Sequence, residues 1–174
     1  DIVIQYRSLV GKLGNVVSGI SKGKIDKIAI NYRGELAGYD VAAVTTSCVA
    51  GILQPMFEGS VNAVNARNLA EKGGIDIAET KSTESKHYAS SVSVSVSTSD
   101  GRKRTVTGTI VGKGLEKIIA IDNIALELTP EGSIMVMFYD DRPGVIGTVG
   151  TVCGKNQINI GTMGVGRQDK KAIL

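Results

Sequence analysis

A zwitterionic ligand needs donors for its negative end and an acceptor for its positive end. Residues 139–147, Tyr-Asp-Asp-Arg-Pro-Gly-Val-Ile-Gly, carry both kinds of group within a few positions. Pro143 and Gly144 open an apolar-periodic stretch, and the first N–H groups of a helix have no partner inside it. The backbone of Gly144, Val145, Ile146 and Gly147 therefore makes a carboxylate cradle. Gly144 has no side chain to obstruct close approach. Asp141 can take the ammonium in a charge-assisted hydrogen bond. Tyr139 offers a hydroxyl or a wall, and Asn159 offers a carbonyl oxygen and an amide. The ordinary alternative is that Asp141 merely caps the helix and Asn159 ends a turn. A short motif alone favours that alternative.

A second chemistry lies upstream. Arg102, Lys103, Arg104, Lys113 and Lys117 stand against Asp100 and Glu116 within residues 100–117, five cations minus two carboxylates, or +3. That equals the excess of the whole 174-residue chain, 20 Lys and Arg minus 17 Asp and Glu. Such a patch can hold a phosphorylated anion. Lys117 is the strongest single candidate, with Arg102 and Arg104 beside it. The alternative is a solvated hairpin tip with ordinary surface charges.

Other constellations fail on chemistry. His87 is the only histidine, and the two cysteines, Cys48 and Cys153, cannot complete a four-ligand zinc site or a disulfide framework, so no metal is expected. Both cysteines sit in apolar helical contexts and read as core residues. No Ser-His-Asp set is recognisable, and no catalytic residue is assigned. Gly108-x-x-x-Gly112-x-Gly114 lacks the Gly-Lys-Ser/Thr of a P-loop. Gly161-x-x-Gly164-x-Gly166 opens no helix, so it is no dinucleotide fingerprint. Basic residues do not alternate with aromatics, which argues against an RNA-binding sheet. The charge excess is too mild for a nucleic-acid binder. No apolar stretch approaches the ~20 residues of a membrane span, and the N-terminus lacks a secretory layout. A reduced, cytoplasmic setting is expected, with an organelle as the alternative.

The elements that must position these residues follow from periodicity. Ile2, Tyr6, Leu9, Leu13, Val16 and Ile20 form one helical face, resting on the rest of the chain or on an upstream domain. Residues 25–32 alternate as a strand. Residues 40–54 read as a buried helix with Asp40 as N-cap and Pro55 beyond it. Residues 62–72 read as a second, ended by Gly73-Gly74. Strands follow at 75–79 and 89–98, where Val92, Val94 and Val96 interleave with serines that face water. Asp100-Gly101 is a hairpin turn. Strands at 103–111 and 116–121 complete an α+β unit with a mainly antiparallel sheet. After Pro130-Glu131-Gly132 come a strand at 133–139, a helix burying Val145, Ile146, Val149, Val152 and Cys153, a strand at 158–166 and the start of another at 170. The expected organisation is an N-terminal helix and linker over 1–23, a unit over 24–130 and an incomplete small α+β unit over 131–174, so the chain is expected to be a fragment.

Tyr139 to Gly147, with Ile158-Asn159-Ile160, resembles the ACT domain, a small ferredoxin-like regulatory module that binds amino acids. Upstream, Tyr32-Arg33-Gly34-Glu35-Leu36, Tyr39-Asp40-Val41, Val61-Asn62-Ala63 and Ala70-Glu71-Lys72-Gly73 carry a second resemblance. Ser82-Thr83-Glu84-Ser85 and Thr107-Gly108-Thr109 extend it. Together they resemble the intervening, allosteric substrate-binding domain of the long-type D-3-phosphoglycerate dehydrogenases. The resemblance implies a parent enzyme that oxidises 3-phosphoglycerate with NAD in serine synthesis. Its catalytic groups and its NAD site belong to upstream domains, leaving this chain a non-catalytic regulatory segment with no cofactor. It implies L-serine at Tyr139, Asp141, Gly144–Gly147 and Asn159, where many members carry His and Asn in place of Tyr139 and Asp141. It further implies a homo-oligomer and a phosphorylated effector near Lys117. The alternatives are an assembly module with a vestigial ligand site, or an amino-acid sensor of another enzyme.

Overall fold

The computed structural model describes residues 2–85 and 87–174. Asp1, the first residue of the 1–23 segment, lies outside them. Nine strands and four α-helices fall in the order α1 (Ile2–Ile20), β1 (Ile25–Gly34), α2 (Ala42–Leu53), α3 (Ala66–Lys72), β2 (Asp76–Ser82), β3 (Ser90–Thr98), β4 (Lys103–Val111), β5 (Leu115–Ile121), β6 (Ile124–Leu128), β7 (Phe138–Asp140), α4 (Val145–Lys155), β8 (Gly166–Gln168) and β9 (Lys171–Ile173) among the described residues. The class is α+β. A six-stranded sheet runs β2-β1-β3-β4-β5-β6, and a three-stranded antiparallel sheet runs β7-β9-β8. β1 and β2 pair in parallel, and the remaining pairs of the large sheet are antiparallel.

The N-terminal helix rests on this chain. α1 buries Tyr6, Leu9, Val10, Leu13, Gly14 and Val17, a wider face than the single stripe expected. The reason is that it packs on two partners, α2 and the face of β3 and β4 that presents Val92, Val94, Val96 and Val106. The helix crossing is close because both helices carry glycine there. A Cβ on Gly14 would meet the Cys48 carbonyl oxygen at 2.6 Å, and one on Gly51 would press into the Gly11 carbonyl.

The core is anchored by a buried hydroxyl pair. Tyr32 Oη and Thr45 Oγ1 lie 2.7 Å apart, with both residues 0% exposed. Burial pushes the Tyr32 phenol well above its ordinary pKa. Tyr32→Phe leaves the Thr45 hydroxyl buried without that partner, and the expected cost is about 1–3 kcal/mol. Chemical denaturation reads it as a lower midpoint with an unchanged slope.

Several elements differ from the sequence expectation for identifiable reasons. α2 starts at Ala42 with Val41 as its N-cap, while Asp40 Oδ1 accepts the Ala42 N–H at 3.0 Å. Asp40 thus closes the turn just outside the cap. The second helix loses residues 62–65, because Asn62 Oδ1 accepts the N–H of Val64 and of Asn65, and Asn65 Oδ1 accepts that of Asn62. These side chains compete with the helix ladder. The serine face of β3 is less wet than expected. Ser91 and Ser95 are buried, and Ser93 and Ser95 share hydroxyl hydrogen bonds with Thr107 and Thr105 at 2.9 and 2.8 Å.

β6 was not foreseen. It follows a two-residue turn in which Asp122 and Asn123 have φ of 48° and 66°, the geometry that matches hairpin twist. The expected strand at 133–139 shrinks to Phe138–Asp140, extended only by the backbone bonds between Met137 and Leu174. The expected strand at 158–166 is irregular, and pairing begins at Gly166. Its glycines serve another purpose: a Cβ on Gly166 would meet the Ala125 carbonyl oxygen at 2.6 Å, and one on Gly164 the Glu127 carbonyl at 3.0 Å. The segment lies flush on β6. On α4, Val149 and Cys153 are buried, but Ile146 and Val152 are exposed.

The two sheets share hydrophobic packing. Ile173 of β9 joins the main core, and Val136 packs against it. The Arg104 guanidinium of β4 lies over the Phe138 ring of β7, 4.0 Å from its centroid. Among the described residues, no helix is long and apolar enough to cross a membrane.

Candidate functional site

The β7–α4 junction gathers most of the zwitterion-binding candidates in one short arc. Tyr139 sits mid-strand in β7, half-buried and opposite Ala172 of β9. Gly144 caps α4 in the left-handed region, with φ of 90°. A side chain is disfavoured in that conformation, so the glycine is required by the turn itself. Its carbonyl accepts the Thr148 N–H at 2.9 Å and the Thr148 hydroxyl at 3.0 Å. The N–H groups of Val145, Ile146 and Gly147 precede the first intrahelical bond and point away from the helix.

Asp141 is fixed just after β7, ahead of Gly144 in the chain. Its N–H donates to the Lys170 carbonyl at 2.9 Å, and its Oδ1 accepts from Arg167 Nε at 3.1 Å. Its second carboxylate oxygen has no protein hydrogen bond among the described residues. Asp141 does not cap α4: no side-chain cap bond is present. Asp140 next to it pairs with Lys171 at 2.6 Å, and this pairing holds its carboxyl below the ordinary range.

Asn159 stands apart from that arc. It belongs to the irregular segment after α4 and lines a cavity of 530 Å³ with Val149, Cys153, Met163 and Leu128. Neither Tyr139 nor Asp141 lines that cavity. The strand expected to carry Asn159 toward Asp141 does not form there; Gly164 and Gly166 lay the chain against β6 instead.

The basic candidates divide between the two faces of the large sheet. Arg102 and Arg104 sit two residues apart on the α1 side, the side of Val96 and Val106, and both line a cleft of 450 Å³. Lys117 lies one residue from fully buried Ile118, so it points to the opposite side. There it pairs with Glu127 at 3.1 Å. Lys103 and Lys113 are exposed, and neither lines the cleft. Glu116 is occupied by Lys12 of α1 at 2.6 Å. Arg102 chelates Asp100, which also accepts the Thr98 hydroxyl, and these bonds hold the Asp100 carboxyl well below its usual range. Arg104 pairs with Asp122, whose other oxygen accepts the Thr105 N–H at 2.8 Å.

The cleft contains two groups the sequence reading missed, Lys22 and Phe138. Lys22 follows the end of α1, and its only sequence signal was a cation just past a helix C-terminus. Phe138 was placed in a strand, but nothing in the linear pattern aimed it at Arg104. The remaining chemistry is sparse. Cys48 and Cys153 are buried free thiols, and burial pushes the Cys48 thiol far up. Among the described residues, no three His, Cys, Asp or Glu side chains gather as a metal site. The Gly161–Gly166 segment does not fit a dinucleotide, since it leads into β8 and not into a helix.

The family model of the D-3-phosphoglycerate dehydrogenase intervening domain matches residues 3–122. The match takes in α1 and the large sheet through β5. The chain is 36% identical to the D-3-phosphoglycerate dehydrogenase of Bacillus subtilis over 95% of its own length and 31% of that protein. It is 33% identical to that of Archaeoglobus fulgidus over 98% of its length and 32% of that protein. For that of Mycobacterium tuberculosis the figures are 34%, 91% and 30%. The chain spans about a third of the length of these relatives.

Proposed function

Because the chain belongs to the D-3-phosphoglycerate dehydrogenase intervening-domain family, we propose that it is the regulatory and assembly part of an NAD-dependent 3-phosphoglycerate dehydrogenase. In this reading β7-α4-β8-β9 is an ACT-type unit that binds L-serine as feedback effector. The observation that carries it is the β7–α4 junction. An unshared Asp141 carboxylate oxygen and the unpaired N–H groups of residues 145–147 flank a left-handed Gly144 there. The amino-acid carboxylate sits at the N-terminus of α4, favoured by the helix dipole. The ammonium pairs with Asp141, and Tyr139 forms the adjoining wall. Asn159 completes the site only if the segment after α4 moves toward β7.

Effector binding would favour one arrangement of the two sheets and lower turnover at a site outside this chain. Such coupling is reciprocal for binding: the ligand whose affinity serine lowers must lower that of serine equally. β7 lies at the edge of its sheet, with β9 on one side only. Edge strands of this kind are commonly covered by a partner, and the proposed homo-oligomer uses that edge. A phosphorylated anion at the basic residues is the second effector of this reading.

The test is thermal unfolding of the chain with L-serine, glycine and L-alanine, beside an Asp141→Asn variant. Asn keeps the shape of the side chain and removes the charge the ammonium needs. At ~100-fold excess over Kd a ligand stabilises by about 2.7 kcal/mol. For a chain of this size that raises Tm by roughly 5–10 °C. The expected result is a shift with L-serine that Asp141→Asn abolishes. No shift with any amino acid overturns the effector reading.

A further inference from the structure

β2 (Asp76–Ser82) is one edge of the large sheet, with β1 on one side and, among the described residues, no strand on the other. Its middle residues, Glu79, Thr80 and Lys81, are exposed. Glu79 and Lys81 lie on the helix side of the sheet, where Glu79 Oε1 accepts from Arg67 of α3 at 3.0 Å. Lys81 Nζ donates to the Tyr39 carbonyl at 2.7 Å. Glu79 keeps a second carboxylate oxygen and Lys81 two further N–H donors. An open edge is a template for another strand. Charges on an edge normally prevent such pairing, because equal charges of two copies meet. The order of the charges along β2 does the reverse.

Two copies of one edge strand related by a two-fold axis run antiparallel, and each face of one sheet continues into the same face of the other. Residues directly opposite must share a face, so the axis passes through a residue and not between two. That leaves few registers to compare. Centring on Glu79 or on Lys81 sets that residue against its own copy. Centring on Ala78 sets Ile77 against Glu79 and forms no ion pair. Centring on Thr80 sets Glu79 of each copy opposite Lys81 of the other, a hydroxyl pair between them, and Ala78 opposite Ser82. Opposite charges and Thr–Thr pairs facing each other across strands are stabilising. We propose that β2 pairs with β2 of a second copy of this chain, antiparallel and centred on Thr80, over residues 78–82. The large sheets of the two copies then form one continuous sheet. So short a contact is weak by itself and strengthens wherever another contact already joins two copies. It is separate from the β7 edge, which belongs to the small sheet.

The test is disulfide trapping of the 174-residue chain under mild oxidation, read on a non-reducing gel. Cys48 and Cys153 are buried, so a cysteine introduced on β2 is the exposed thiol. In the proposed register the two residues 80 face each other at an ordinary antiparallel Cα separation of about 4.5–5.5 Å, within the span of a disulfide. The two residues 76 lie eight positions apart along the ladder, about 27 Å. Thr80→Cys should therefore form the covalent dimer about tenfold or more faster than Asp76→Cys, which is equally open to random collision. Lys81→Glu on the Thr80→Cys background places carboxylates opposite each other and should slow trapping about threefold or more. Adding Glu79→Lys exchanges the two charges, recreates the pairs and should restore the rate to within about twofold. Thermal unfolding checks that each variant is folded. Equal trapping at positions 76 and 80, or none at 80, overturns the pairing. Failure of the exchanged pair to recover in a folded protein overturns the Thr80-centred register. The outcome is independent of the effector reading: a chain without an L-serine response still gives the Thr80→Cys dimer.

Discussion

Replacing Gly51 or Gly14 by alanine should destabilise the chain by about 3 kcal/mol each, at the upper end of overpacking costs. Helix propensity alone argues the opposite, since alanine gains roughly 1 kcal/mol over glycine in a helix interior. The contest is decided by distance. A Cβ at Gly14 would lie 2.6 Å from the Cys48 carbonyl oxygen and 3.0 Å from the Ile52 nitrogen, both backbone atoms. At Gly51 the neighbours are the carbonyl oxygen, carbon and Cα of Gly11. No rotamer change relieves a clash with backbone, so the helices must move apart. Separation would uncover Leu9, Val10, Leu13 and Cys48, all 0% exposed. Gly19→Ala is the internal control. It lies in the same helix with nothing within 4 Å of its missing Cβ. There the propensity gain should survive, and stability should rise by about 0.5–1 kcal/mol. Thermal unfolding of the three variants checks this: Gly14→Ala and Gly51→Ala should lower Tm by roughly 6–12 °C. Unchanged Tm in both would show that the crossing can relax and that the glycines are not needed there.

The sequence displays this fold wherever one periodicity governs a segment. Val92, Val94 and Val96 alternate, and β3 forms where they stand, with all three valines buried. The Asp100-Gly101 turn closes β3 on β4 with Gly101 at φ of 81°. Legibility fails where a side chain competes with the backbone or where glycine is used for proximity. Asn62 and Asn65 take N–H groups that a longer α3 would have used. Gly164 and Gly166 fall in the expected strand at 158–166, yet they serve to bring one backbone flat against another. The parallel pairing of β1 with β2 brings together residues almost fifty apart, Lys27 with Asp76, and no local pattern encodes it.

The candidate sites show the same division. Tyr139, Asp141 and Gly144 are near neighbours in sequence, and a strand-to-helix junction keeps them so. Asn159 depends on how the chain returns after α4, which turns on the glycines that follow. The basic patch looked contiguous because its residues share one hairpin. A hairpin strand sends alternate side chains to opposite faces, which separates Arg102 and Arg104 from Lys103. Lys22 joins the two arginines only because α1 ends over β3 and β4. Assembly by tertiary packing leaves no trace in spacing.

Gly166→Ala should act on the seam between the two sheets more than on the fold as a whole. Its Cβ would sit 2.6 Å from the Ala125 carbonyl oxygen and 2.7 Å from Ile124 Cγ2. The strand β6 that it presses is the edge of the large sheet, so it is free to yield. The central strands β1, β3 and β4 are tied on both sides. The expected cost of about 2 kcal/mol should therefore appear as local opening, in the sense that edge elements open below the global unfolding free energy. Hydrogen exchange should speed up roughly tenfold or more at β6, β8 and β9, equivalent to ~1.4 kcal/mol, with β1 and β3 amides unchanged. Uniform acceleration across all strands would mean that the two sheets unfold as one cooperative unit. The distinction bears on regulation. The glycine contact on β6, the packing of Ile173 and Val136 and the Arg104–Phe138 contact are routes by which a signal can pass between the β7–α4 junction and the large sheet.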